Sequence, residues 1–364
     1  MNTGYESEQR VTPMALFFNK NQTPASQAEY EFDKVIVRAI RKPWPGDATK
    51  HIICDIDKTY IETNFETLVQ LAKTALEDAQ EKQTVTGASE VLRAAHGEQG
   101  QHPLHFVTAS PPQLRSVLEE KLALDKIQWN SVVFKNQAYN LRKGRMNQLR
   151  QHVAYKTVAI LTLTKQLGSG DIYFIGDNVE LDSYIYTGIK LFLDGTLNSE
   201  QYLQFLAYTG IDDDILKELS SFLTEPPEVK VACIHIREVP GYKTIKEEAL
   251  TNQIRYFESF YEVSLDYLAQ GVIGVSSVWP LTRIFHNRHL TQRAELLKHL
   301  QERLSGSESS SEMHQALNEC LQKLNLEGED LPVEREKRHQ QPLVKLNPSQ
   351  VLDAAEKWMI QVND

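Results

Sequence analysis

Cysteine is scarce in this chain: 3 in 364 residues, Cys54, Cys233 and Cys320. They are odd in number and too widely spread for a zinc-binding spacing or a disulfide framework. A reducing cytoplasm is therefore the expected compartment. No run of residues reaches the roughly 20 consecutive apolar positions that a membrane-crossing helix needs. The first ten positions, Met1 to Arg10, are polar and acidic and do not read as a secretory signal. An excess of positive charge is missing too, since Lys+Arg 39 against Asp+Glu 49 gives −10. That argues against a nucleic-acid-binding surface over the whole molecule, so no nucleic-acid partner is expected. No internal repeat is visible. The 41% hydrophobic content is that of a soluble globular protein, and the length suggests two domains.

Along the chain, residues 1–30 read as a polar lead-in. Phe32 to Ile40 reads as a strand, and Pro43-Trp44-Pro45-Gly46-Asp47 forces a turn. A strand over 51–55 follows, then a helical period over 66–82 and a shorter helix over 88–96. Leu104 to Thr108 is the next strand. Ser110-Pro111-Pro112 predicts a helix start, with Ser110 as cap and proline in the first turn. A short strand at 131–134, a helix over 152–167 and a strand over 171–175 continue the alternation, which implies a parallel sheet covered on both faces. Residues 183–228 read as a helical insertion, and Val229 to Ile236 as the last strand of the same sheet. From about Lys243 onward the chain reads as all-helical, with Leu250, Ile254, Phe257, Tyr261, Leu265 and Leu268 on one stripe. The serine-rich 305–311 reads as a linker and 327–346 as loop.

The chemistry concentrates at Ile52-Ile53-Cys54-Asp55-Ile56-Asp57-Lys58-Thr59. In an extended segment, residues two apart point the same way. Asp55 and Asp57 then face the crevice beyond a strand's carboxyl end, where open α/β sheets bind ligands. Two carboxylates so close beyond an apolar strand are costly unless a cation or a proton holds them, and a divalent metal with a phosphate substrate is the economical explanation. Three further features follow in order: Thr108-Ala109-Ser110-Pro111 directly after a strand, Lys156 near the start of a helix, and Gly176-Asp177-Asn178-Val179-Glu180-Leu181-Asp182 directly after a strand.

This ordered series resembles the four motifs of the haloacid dehalogenase superfamily over about 50–190. The resemblance implies a doubly wound parallel α/β sheet of the Rossmann-like kind; the gaps from Asp55 to Thr108 and on to Lys156 leave no room for a large cap, and the helical insertion and helical C-terminal part lie outside the resemblance. It implies that Asp55 is a nucleophile forming an aspartyl-phosphate and that Asp57 is the general acid and base. Thr59 would help hold the loop. Thr108, Ala109, Ser110 and Lys156 would bind the phosphoryl group. Asp177 and Asp182 would complete a Mg2+ site with Asp55 and the main-chain carbonyl of Asp57. An aspartate at position 57 favours a phosphatase over an ion pump or a dehalogenase. Together with Gln113-Leu114, Tyr155, Ile185-Tyr186 and Ile234-His235-Ile236-Arg237, these motifs look like the actin-patch phosphatidate phosphatase family and its bacterial relatives over about 50–240. Lys58, Thr108 and Pro112 depart from the residues usual in that family. The resemblance implies a magnesium-dependent phosphomonoesterase whose substrate is phosphatidate or a related phospholipid, working in the cytoplasm with peripheral membrane contact. A phosphoprotein or other macromolecular phosphatase stays open as the alternative.

The organisation expected is a lead-in at 1–30, a phosphatase domain over 31–240 and a helical region over 241–364. That last region reads either as packing on the catalytic core or as a separate binding module. Lys135 and Lys143 rival Lys156 as the phosphate-site lysine. Cys54 reads as packing, Glu180 as a metal-supporting carboxylate or a helix-start charge, and His235 as a core histidine. Residues 268–285 read as a buried helical hairpin with a charged outer face rather than a membrane-docking patch.

Overall fold

The structure, a computed structural model, describes residues 27–32, 35–41, 44–62, 82–136, 145–223, 228–245, 247–306, 310–326 and 346–363. The helix expected over 66–82, apart from Lys82, and most of the loop at 327–346 lie outside these residues.

Among the described residues one sheet runs through the molecule. Its strands are β1 (Gln27–Phe32), β2 (Val35–Arg41), β3 (Lys50–Asp55), β4 (Leu104–Thr108), β5 (Ser131–Asn136), β6 (Ser169–Asp177), β7 (Glu228–Arg237) and β8 (Ile254–Phe257). They lie in the order β1-β2-β5-β4-β3-β6-β7-β8. From β5 to β8 every pairing is parallel. The chain winds outward from β3 through β4 to β5, then returns to β6 on the other side of β3. The carboxyl end of β3 is therefore the point where strand order reverses, and a ligand crevice forms there in such sheets.

The helices are α1 (Ala88–His96), α2 (Arg115–Leu124), α3 (Arg145–Leu167), α4 (Asp182–Leu193), α5 (Ser199–Ala207), α6 (Asp213–Phe222), α7 (Glu248–Thr251), α8 (Phe260–Ala269), α9 (Val278–Asn287), α10 (Arg293–Ser305), α11 (Ser311–Leu326) and α12 (Pro348–Asn363). Ile52, Ile53 and Cys54 are wholly buried because both faces of β3 are covered. Ile53, Val107 and Val133 pack under α3, α4, α5, α6 and α12. Ile52, Cys54, Phe106 and Val132 pack under α1, α2 and α8 to α11. The helices after residue 241 thus share core with the sheet on both faces, through Phe260, Phe285, Leu317 and Trp358. None of the described helices is long and apolar enough to cross a membrane.

Several expectations are corrected. The stretch expected as one strand over 32–40 is two, β1 and β2, which pair antiparallel from Phe32↔Val35 outward, so β1 also takes in the end of the expected lead-in. β2 joins β5 antiparallel, so the sheet is mixed at this edge rather than purely parallel. These strands precede β3 and need no crossover helix, so a hairpin can cover the exposed side of β5. The C-terminal part is not all-helical, and β7 is not the last strand. Ile254–Phe257 forms β8, which pairs with Ile234–Arg237. The reason is local: α7 ends at Thr251, and Ser259 opens α8 with a capping box to Glu262, leaving a short extended piece between two helix boundaries. Ser110 does not cap a helix. Pro111 precedes a single turn over Pro112–Leu114 without a side-chain cap, and the Ser110 hydroxyl turns to a buried carboxylate instead.

Candidate active site

Apart from Lys156, which α3 supplies, the candidate groups stand at or just beyond the carboxyl end of a parallel strand. β3 ends on Asp55, β4 on Thr108 and β6 on Asp177, while Asp182 opens α4. After β3 the chain folds back tightly. Tyr60 N–H and Ile61 N–H donate to the Ile56 carbonyl at 2.9 and 2.8 Å, and Lys58 N–H donates to the Ile61 carbonyl at 2.8 Å. Lys58 takes up a left-handed conformation with φ 59°. Arg237, at the end of β7, donates to the Lys58 carbonyl at 2.5 Å and to Glu62 Oε1 at 2.6 Å, tying this loop to the next strand but one.

The Lys156 ammonium, wholly buried, lies 2.9 Å from Asp55 Oδ1, 2.5 Å from Asp182 Oδ1 and 3.3 Å from Glu180 Oε2. The approach to Asp55 is off the direction of a hydrogen bond, and both Asp55 oxygens are buried without one. One oxygen each from Asp55, Asp177 and Asp182 lie within 4.8 Å of one another. Among the described residues the Lys156 ammonium thus meets three carboxylates, with Asp177 next to two of them. Burial and the neighbouring acids push the Asp55 carboxyl well up, Asp177 to about 7 and Asp182 to about 6. Glu180 is the exception: Lys156 and its cationic neighbours outweigh burial and hold it down to about 2. Burial opposes the charge on Lys156, but Asp182 and Asp55 overcome it and raise its pKa. This cluster suits a hard divalent cation: its ligand atoms are all carboxylate oxygens, and the Asp55 pair accepts no hydrogen bond.

Asp57 lies to one side of that cluster. Its Oδ2 accepts from Thr108 Oγ1 at 2.8 Å and from Ser110 Oγ at 2.9 Å. Burial, with Glu180 nearby, raises its pKa, and the two hydroxyl bonds only partly oppose that. A buried carboxyl whose proton is held more firmly than usual, and which is fixed by two hydroxyls, is placed to exchange a proton with a neighbouring oxygen.

Residues named from sequence fall into two groups. Asp55, Lys156, Asp177 and Asp182 converge on one point, with Thr59 Oγ1 donating to Asp177 Oδ2 at 3.4 Å. Thr108 and Ser110 converge on Asp57, and the Ser110 N–H donates to Thr108 Oγ1 at 2.9 Å, while Ala109 between them is buried. Of the rival lysines, Lys135 forms no ion pair with a carboxylate of a described residue, whereas Lys156 does, and Lys143 lies outside the described residues. Cys54 is buried and its thiol donates to the Asp55 carbonyl at 3.0 Å. His235 is a core residue paired with Asp266 at 3.1 Å.

Two residues that stood in the sequence motifs without an assigned role act on the geometry of the site. Tyr155 Oη lies 2.8 Å from the Thr108 carbonyl and 2.9 Å from the Val133 carbonyl, fixing α3 over the ends of β4 and β5. Gly176 permits the β6 turn: a Cβ there would meet Asp182 Oδ2 at 2.5 Å and the Tyr186 ring at 2.7 Å. Gly176→Ala is expected to cost about 1–3 kcal/mol by overpacking and to push Asp182 away from Asp55. A thermal melt and a metal titration check this; an unchanged midpoint with unchanged metal affinity would show that the turn yields freely.

No curated protein and no solved structure matches the chain. Residues 50–195, a segment holding all of the converging side chains above, match the family model described as phosphatidate phosphatase APP1, catalytic domain, and this match supports a phosphatase.

Proposed function

We propose that the protein is a magnesium-dependent phosphomonoesterase of haloacid dehalogenase type, working through an aspartyl-phosphate on Asp55, with phosphatidate as its substrate. The observation that carries this reading is the convergence of Asp55, Asp177, Asp182 and Lys156, with Asp57 held alongside by Thr108 and Ser110. Asp55, Asp177 and Asp182, with the main-chain carbonyl of Asp57, would hold the metal, which would offset their shared negative charge and polarise a phosphoryl oxygen.

This chain's own groups then account for the rest. An Asp55 oxygen attacks phosphorus, the bond to the leaving oxygen breaks, and Asp57 gives that oxygen its proton. Asp57, now ionised, takes a proton from water as that water attacks the phosphoryl group, and Asp55 is released. Lys156 neutralises charge on Asp55 and on the phosphoryl oxygens. Thr108 and Ser110 hold Asp57 in line, with Ala109 between them completing the phosphate-side turn. Thr59 steadies Asp177. The printed description of the matching family favours a lipid phosphomonoester, and a cytoplasmic enzyme with peripheral membrane contact accords with that substrate.

The test is hydrolysis of phosphatidate in detergent micelles by the full chain, run beside phosphopeptides. Phosphate release from phosphatidate is expected with Mg2+, to stop in EDTA and to return when Mg2+ is restored. Equal rates in EDTA would overturn the metal requirement. Release from peptides but not from lipid would establish the phosphoprotein alternative.

A further inference from the structure

Lys135 is a buried lysine with an unusual lack of company. It is 3% exposed, yet its ammonium makes no hydrogen bond or ion pair with a described residue. A buried ammonium without a counter-ion is costly, and burial pushes this one down to about 7. By the two-residue alternation of a strand, Lys135 shares its face of β5 with Val133. That face lies under α3, because Val133 packs with Val153, Ala154 and Tyr155. Asp55 shares the same face of β3 with Ile53, which belongs to the same cluster. β5 is separated from β3 only by β4. Two strand spacings amount to roughly 10 Å, and Lys135 is close enough to Lys156 and Glu180 to feel both charges. The backbone agrees: Phe134 pairs with Thr108, and Lys135 N–H donates to the Ser110 carbonyl at 3.2 Å. The charged groups facing Lys135 are Glu180, Lys156 and His152. Glu180 is already engaged by Lys156, and His152 Nδ1 lies 3.8 Å from the same Glu180 oxygen.

We propose that Lys135 is a second phosphate-binding cation of this site, whose missing counter-ion is a phosphoryl oxygen of the substrate. The proposal rests on the phosphomonoesterase reading. It adds a residue that the ordered motifs do not contain, contributed by β5 rather than by α3. A phosphoryl oxygen bonded to this ammonium would favour its charged form, which burial disfavours.

The experiment measures inorganic phosphate binding by calorimetry in Mg2+ buffer for the full chain, Lys135→Met and Lys135→Arg, with thermal melts of each. A charge-assisted hydrogen bond predicts that Lys135→Met binds phosphate about tenfold or more weakly, while Lys135→Arg retains most of the affinity. The unfolding midpoint of Lys135→Met should rise, because an uncompensated buried charge is removed. A lysine with a merely structural role would do the reverse, lowering the midpoint and leaving phosphate affinity unchanged, and that result overturns the proposal. Equal phosphate binding by wild type and Lys135→Met also overturns it, without touching the phosphatase reading. A wild type that neither binds phosphate nor hydrolyses a phosphomonoester overturns both.

Discussion

Asp55→Asn is expected to lower phosphate release by a factor on the order of 10⁴ or more, the scale of loss when a nucleophile is removed from a site whose groups act together. The substitution keeps shape and volume, so the core around Ile53 and Cys54 is undisturbed. Its effect on stability should be small or favourable. Burial and then Asp182, Glu180 and Asp177 oppose the charge of Asp55 more than Lys156 favours it, and the amide removes that net penalty while Lys156 keeps Asp182 and Glu180. The informative readout is therefore the pair of results: activity lost, thermal midpoint kept or raised. Acid-quenched samples with wild-type protein should carry a phosphoryl group on the peptide containing Asp55, and the variant should carry none. Asp57→Asn completes the comparison. It keeps the nucleophile but removes the proton donor, so substrates with a good leaving group should still phosphorylate Asp55 while turnover stalls. Normal turnover by Asp57→Asn would remove Asp57 from the acid and base role and leave its contacts to Thr108 and Ser110 as structural ones.

Asp266→Ala should produce the largest loss of stability outside the site, about 3–5 kcal/mol, because it takes the carboxylate from the buried His235 cation. His235 Nε2 lies 3.1 Å from Asp266 Oδ2, Arg255 donates to Asp266 Oδ1 at 2.5 Å, and Arg303 pairs with the same oxygen. Through these contacts α8 is held to β7, β8 and α10. Burial works against charge on His235, but Cys233 and Asp266 outweigh it and hold the histidine up to about 9. Burial likewise disfavours the Asp266 carboxylate, and His235, Arg255 and Arg303 hold it down to about 2. The pH dependence follows. A histidine raised on folding contributes fully below its unfolded value of about 6.5 and loses that contribution as pH rises through 9. A carboxylate lowered on folding contributes above about 3.9 and loses it as pH falls through 2. The gap between wild type and Asp266→Ala should thus be widest between about pH 4 and 6.5, and narrower at pH 10, where the arginines alone remain paired. Urea unfolding at pH 5.5 and pH 10 measures it. An equal gap at both would show that His235 is neutral in the folded protein.

The strand ends were legible because each couples a buried apolar run to an abrupt polar residue. Ile52-Ile53-Cys54 can only be covered on both faces, and Asp55 and Asp57 then have to emerge at an edge. The same reasoning pointed to Thr108 and Asp177, and Lys156 was preferred to Lys135 and Lys143 for its place on the helix before Asp177. β8 was illegible for an equally physical reason. Leu250, Ile254, Phe257, Tyr261, Leu265 and Leu268 satisfy a helical spacing, yet Leu250 and Ile254 belong to the core on one face of the sheet while Phe257, Tyr261, Leu265 and Leu268 belong to the other. The chain passes the sheet edge between them. A strand of 4 residues offers two positions to each face, which is no more than one helical turn offers, so periodicity alone does not separate them. Ser110 misled in the same way: next to proline a serine suits a helix start, and only the neighbouring Asp57 carboxylate draws its hydroxyl elsewhere.

By itself the sequence determined which residue types stand beyond the strands β3, β4 and β6, because burial on both faces of a parallel sheet dictates where polar groups emerge and in what order. It could not determine which of those groups meet. That Lys156 contacts Asp55 and Asp182, that Thr108 and Ser110 serve Asp57 and that Arg237 grips the Lys58 carbonyl all depend on strand order, and strand order is set by the crossover that returns the chain from β5 to β6. The protonation of the site was decided at the same level. A carboxyl's pKa answers to burial and to the charges beside it, and those charges come from residues far apart in the chain that only the folded sheet brings to one edge.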